Sequence, residues 1–239
     1  MTRPQTLTRP LSIDRIQDGG CYRLAAGTPA TNNLFFDIAR VDGVFVKLPS
    51  TTGRADFASY ITHARSSAED VRPLEPAEQL DRLNLTAAHY PAFGSILARH
   101  VDLAHMLVVF KLQYDRIREN SAVAVPDTRF ALLTSGRLRP SQRVAVFQER
   151  IQGTTLWEMF DFDAELVRSE WEPHLRSISA QLTPVVDSPL ASHIDWNIQN
   201  FVFRPADSRL FYVDVKPTLL VGRTANERNR RGVRDYFIQ

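Results

Sequence analysis

Late in the chain, His193, Asp195 and Asn200 stand close together in HIDWNIQNF, residues 193–201, and Asp214 follows at the end of the apolar run in LFYVDVKP, residues 210–217. A carboxylate placed beside a hydroxyl can take its proton. Asp and Asn also favour turns, where they bond nearby backbone, so a bare D-x-x-x-x-N spacing is equally compatible with a structural loop. Far upstream, Lys47 ends the run VDGVFVK, residues 41–47, and is the only lysine in a credible early strand. Taken alone it reads as a surface lysine on an amphipathic strand.

The elements that must position these residues follow from periodicity. Residues 21–25 read as a strand, 26–33 as a loop of small residues, and 34–41 as a second strand. Asp42-Gly43 comes next. An Asp-Gly pair between two strand-like runs is the strongest short-range hairpin signal, so residues 44–48 are expected to pair antiparallel with 35–41 and to carry Lys47 within a strand. Residues 50–91 are polar and cut by Pro73, Pro76 and Pro91 into short helices and loops. Phe93, Leu97, Val101, Ala104, Val108 and Leu112 then fall at helical spacing, and the same stripe continues to Asp115 and Glu119. One long helix with two acids on its buried face is expected.

After Val125-Pro126-Asp127, residues 130–133 and 144–147 read as strands. Residues 155–160 start a helix, and Leu166, Val167, Trp171, Leu175, Ile178 and Leu182 carry a second one. A strand pair, 201–203 and 210–213, follows around the turn 204–209. The layout is α+β: strands with one long helix, then helices with a small strand pair.

Composition narrows the function classes. The 239 residues hold 29 Lys+Arg against 27 Asp+Glu, a net charge of +2 that makes no demand for nucleic acid or membrane. Cys21 is the only cysteine, which excludes an intramolecular disulfide and cysteine-based zinc or iron–sulfur sites. The six histidines form no H-E-x-x-H pattern. No signal-peptide core opens the sequence, and apolar runs such as 106–110 are far too short to span a membrane, so a cytoplasmic location is expected. Arg223, Arg228, Arg230, Arg231 and Arg234 crowd the C-terminal stretch, either as a solvated basic tail or as one that meets an anion or a partner.

The combination of HIDWNIQNF, LFYVDVKP and VDGVFVK, in that spacing, resembles the protein-kinase-like superfamily. The stretch FQERIQGTTLWEMF, residues 147–160, resembles that family's hinge between lobes. The resemblance implies a bilobal fold: an N-terminal extension (1–20), an antiparallel β-rich N-lobe with a long helix near 93–120 (21–150), and a reduced helical C-lobe (151–239). It implies ATP and Mg2+ as cofactors. Asp195 would accept the acceptor's proton, Asn200 and Asp214 would hold magnesium, and Lys47 would hold the nucleotide phosphates. Asp115, or next Glu119, would pair with Lys47. Backbone groups at Glu149 and Ile151 would face the adenine, and the loop with Gly27 and Thr28 would cover the phosphates.

Two departures shape the expectation. The phosphate loop contains only Gly27, and only 25 residues follow Asp214, which calls for a minimal C-lobe. That brevity resembles compact bacterial kinase-like proteins, YrbL-like or minimal effector-type kinases, and small-molecule phosphotransferases. The expected activity is ATP- and Mg-dependent transfer of the γ-phosphoryl group to a hydroxyl of a small molecule or a protein. The alternatives are nucleotidyl transfer on the same fold and a catalytically silent module that binds a partner protein. The oligomeric state is open at this level.

Overall fold

The Asp-Gly signal is a hairpin in the computed structural model, which describes residues 4–7, 11–24, 30–32, 36–41, 43–49, 90–135, 141–215 and 223–238. Strands β4 (Phe36–Val41) and β5 (Val44–Pro49) pair antiparallel, with Val41 opposite Val44 and Ile38 opposite Lys47. The chain is a mixed α and β protein that divides into two units: one comprises the chain up to Lys111 plus Asp127–Arg150, the other Leu112–Pro126 plus Ile151–Gln239.

The first unit is built on a seven-stranded sheet that also contains β1 (Gln5–Leu7), β2 (Cys21–Leu24), β3 (Ala30–Asn32), β6 (Thr128–Ser135) and β7 (Ser141–Glu149). Its order among the described residues is β1-β2-β6-β7-β5-β4-β3; β1 with β2 and β2 with β6 run parallel, which corrects the expectation of a wholly antiparallel sheet. Strand β3 falls within residues expected as loop; its register against β4 makes it an edge strand. One sheet face gathers Leu7, Leu11, Ile13, Ile16, Tyr22, Val44, Val46, Ala131, Leu133, Ala145 and Phe147 in one apolar cluster. Residues 11–16 thus act as core, burying apolar surface against the strands. Alternation along each strand sends Lys47, Phe130 and Val146 to the other face, where Phe110 meets Phe130 with ring centroids 6.2 Å apart.

Gly19 locks the entry to β2. It has φ +73°, its N–H donates to the Phe130 carbonyl at 2.8 Å, and a Cβ there would overlap the Ala92 carbonyl. Only glycine meets both demands.

The long helix differs from its sequence reading. Residues 98–100 interrupt it, leaving α1 (Gly94–Leu97) and α2 (Val101–Asn120). The break resets the helical phase, so the stripe drawn through Phe93 and Leu97 does not carry on. The buried residues of α2 include Ala104, Leu107, Val108, Phe110, Gln113, Tyr114 and Ile117, whereas Leu112 is 47% exposed. Glu119 is exposed and Asp115 half-buried.

In the second unit, β11 (Phe201–Arg204) and β12 (Arg209–Tyr212) form a hairpin, and β8 (Thr154–Thr155) adds to β11. Ala124 joins the other side, donating to the Leu210 carbonyl at 2.9 Å and accepting the Tyr212 N–H at 2.8 Å. Helix α3 (Leu156–Met159) starts at a complete capping box between Thr155 and Glu158. Helix α4 (Glu172–Val186) buries Leu175, Ile178, Leu182, Val185 and Val186 along one stripe.

Leu166 and Val167 are not part of that helix. They form β10 (Leu166–Val167) against β9 (Phe160–Asp161), a reversal permitted by Glu165 at φ 51°, and Leu166 is exposed. The arginine-rich stretch is helix α5 (Arg223–Phe237), which buries Asn226, Val233 and Phe237. Arg230 bonds Glu227 at 2.6 Å and the Val186 carbonyl at 3.3 Å, and Arg234 pairs with Asp187. The basic stretch is thus a helix in which Arg230 and Arg234 are paired, while Arg228, Arg231 and Arg234 remain exposed to solvent. Among the described residues no helix is long and apolar enough to cross a membrane.

Candidate functional site

The segment from His193 to Asn200 is a loop between two short 3-10 helices, Pro189–His193 and Ile198–Asn200. Its conformation is fixed mainly by polar contacts. Asp195 donates its N–H to the Tyr212 hydroxyl at 3.1 Å, and its Oδ1 accepts the Asn197 N–H at 3.2 Å, an Asx turn. The Asp195 carbonyl accepts the side-chain N–H of Asn200 at 3.3 Å. With 3% of its surface exposed, Asp195 is the one buried acid among the described residues.

Trp196 anchors the loop from below. Its N–H donates to Asn226 Oδ1 and its indole N–H to the Ala191 carbonyl, both at 2.9 Å. Its ring stacks on Phe201 at 5.6 Å, and Phe201 meets Tyr212 at 5.5 Å. Asn226 completes the clamp by donating to the Ile194 carbonyl at 2.9 Å.

Asn200 and the Asp214 segment are tied directly. The Asn200 carbonyl accepts the Val213 N–H at 2.9 Å, so Asp214, half-buried, comes one residue after a fixed point. The Asn200 amide nitrogen is used on Asp195, which leaves its Oδ1 as an oxygen donor. Asn200 and Asp214 carry a carboxamide and a carboxylate, hard oxygen donors of the kind that magnesium takes in preference to zinc. Among the described residues no group of three or more His, Cys, Asp or Glu gathers around a metal position. A cation held here would draw its remaining ligands from phosphate oxygens or water.

His193 stands before this loop. Its carbonyl accepts from Gln113 Nε2 at 3.1 Å, and its ring nitrogens lie 3.3 and 3.4 Å from Arg116 Nη1. Burial first, and the Arg116 charge second, hold its pKa below the ordinary imidazole value. Neutral His193 accepts from Arg116 and braces the loop.

The remaining expected residues are placed as follows. Lys47 is in the first unit, 8% exposed, between Ile38 and Val146 in the sheet. Glu149 ends β7 in the same unit; its N–H donates to the Asp127 carbonyl at 2.8 Å, and the Arg150 N–H donates to the Gly43 carbonyl at 2.8 Å. The Glu149 N–H is thus already engaged by the protein's own backbone. Ile151 opens the second stretch of the second unit and is half-buried. Asp115 belongs to the part of α2 assigned to that unit. Gly27 and Thr28 lie outside the described residues.

Sequence reading missed Asn226, Gln113, Arg116 and Tyr212, which hold the loop. Their signal was faint: Asn226, Val233 and Phe237 fall at helical spacing, but among arginines. No family model matches the chain, and no curated protein sequence matches it.

Proposed function

We propose that the protein is a kinase-like phosphotransferase that moves the γ-phosphoryl group of ATP to a hydroxyl. The observation that carries this reading is the Asp195–Asn200 pair. Asn200 bonds the backbone of Asp195 and accepts the N–H of Val213, the residue immediately before Asp214. An acid, a carboxamide and a second acid are held in one loop-hairpin unit, the set that phosphoryl transfer needs for proton acceptance and cation binding. The sheet order supports the same reading. The row β3-β4-β5-β7-β6 carries Lys47 on its third strand, a helix follows that strand in the chain, and β7 runs into residues 149–153.

In this reading Asp195 orients the acceptor hydroxyl and takes its proton. The acceptor oxygen bonds the γ-phosphorus as the bond to the β–γ bridging oxygen breaks, and ADP leaves. Asn200 and Asp214 hold Mg2+, which when bound neutralises charge on the phosphates. Lys47 supplies a fixed cation for the α- and β-phosphates.

The test is thermal stability with ATP, GTP and ADP, each with and without magnesium, for wild type and Asp214→Ala. A ligand that binds only the folded state raises its stability by mass action. A magnesium-dependent shift with ATP that Asp214→Ala loses is the expected result, and no shift at millimolar nucleotide would overturn the reading. The burial of Asp195 favours a second reading, a silent module that binds a partner, because an acceptor must reach that carboxylate. Turnover separates the possibilities: ADP marks phosphoryl transfer, pyrophosphate marks nucleotidyl transfer, and neither marks the silent module.

A further inference from the structure

A cavity of about 370 Å³ opens within the second unit beside the loop that carries Asp195. Trp196, Asn197 and Ile198, the three residues after Asp195, form one wall, and α5 contributes Arg228, Gly232 and Tyr236 to another. Those three α5 positions are spaced four apart, so they share one helix face.

The remaining wall is aromatic. Trp157 and Phe162 pack with centroids 4.3 Å apart, and Phe160 meets Tyr236 at 4.7 Å. Trp157 is 43% and Phe162 48% exposed, two of the four large hydrophobic residues left on the surface among the described residues. Leaving such rings in water forgoes the burial energy they would gain against an apolar body. The volume is that of a small-ligand site rather than a peptide groove.

Charge sets the other half of the ligand. Arg230 is committed to Glu227, and Arg234 to Asp187, whereas among the described residues no hydrogen bond or ion pair engages Arg228. Among the described residues no Asp or Glu lines the cavity. Gly232 leaves room as well: a Cβ there would meet nothing within 4 Å. In a helix interior glycine costs about 1 kcal/mol relative to alanine. Here it keeps the cavity open.

We infer that this cavity binds a small aromatic anion, its ring against Trp157, Phe162 and Tyr236 and its negative group on Arg228. Resting on the phosphotransferase reading, we assign that anion as the acceptor, its hydroxyl directed past Asn197 toward Asp195. Asn197 links the two places, since it lines the cavity and its N–H bonds the Asp195 carboxylate.

The test is titration calorimetry on the full chain without nucleotide, with 4-hydroxycinnamate and its uncharged amide as probes. Wild type should bind the carboxylate about tenfold more tightly than the amide, the weight of one charge-assisted hydrogen bond at a part-exposed site. Arg228→Gln should bring the two affinities together. Gly232→Phe should abolish binding of both without lowering the thermal midpoint. Equal binding of acid and amide by wild type, no binding of either, or unchanged binding in Gly232→Phe would overturn the inference. The magnesium-dependent ATP shift is read on the same samples. Its absence with probe binding intact would remove the phosphotransferase reading and leave the aromatic-anion site standing.

Discussion

The side-chain amide of Asn226 accepts the Trp196 N–H and donates to the Ile194 carbonyl, both at 2.9 Å, so one residue of α5 grips the backbone on either side of Asp195. Both bonds are buried, where an unmade hydrogen bond costs the full desolvation of the group left behind. The backbone on both sides of the acid is thereby held in place.

Replacing Asn226 with alanine leaves one N–H and one carbonyl without partners. The expected loss is about 2–4 kcal/mol of stability, measured by urea unfolding, with a larger proportional fall in activity than in nucleotide affinity. A loss under about 0.5 kcal/mol would mean that water replaces the amide.

Asp195→Asn keeps the shape of the side chain and its Oδ1 acceptor while removing the base. Phosphotransfer should fall by about 10²–10⁴-fold, while the magnesium-dependent thermal shift with ATP persists. Losing both together would make Asp195 a binding residue instead.

Gly153 precedes β8, and a Cβ there would overlap the Phe203 carbonyl of β11. Gly153→Ala should therefore destabilise by about 1–3 kcal/mol through a forced backbone shift. Chemical denaturation reads this directly, and unaltered stability would show that β8 lifts away freely.

His193 titrates below its ordinary value because it is partly buried and faces Arg116. The folded state thus prefers the neutral ring, and its contribution is complete above the unfolded pKa near 6.5. It is lost as pH falls from there through the lower folded pKa, because the unfolded chain binds the proton more readily. Proton NMR titration of the ring should find a midpoint below 6.5, moving upward in Arg116→Gln but not all the way, since burial remains.

What could be read from the sequence was local. The Asp42-Gly43 pair is a local signal in the sequence, and the strands that flank it, Phe36–Val41 and Val44–Pro49, do pair antiparallel, while the strand pair around 204–209 has continuous apolar runs on both sides. The spacing of His193, Asp195, Asn200 and Asp214 was visible for the same reason. Their union into one unit was not, because it depends on Tyr212, Gln113 and Asn226, which come from three separate segments. The phase of α2 was misread because residues 98–100 break the helix without a proline or glycine to mark it. The role of α5 was masked by charge: its buried residues are few, and two of its arginines serve as anchors.

Ala124 has an implication for synthesis. Its two hydrogen bonds go to Leu210 and Tyr212, so Ala124 finds its partners only after the β12 strand has been made, later than Gln113 and Arg116 meet His193. Translation delivers the chain from the N-terminus at a few residues per second or faster. During that interval the nascent chain carries Ala124 without either partner. The hairpin can close over Ala124 once β12 is made, but the loop that carries Asp195 completes its clamp only after α5 has followed and Asn226 is in place.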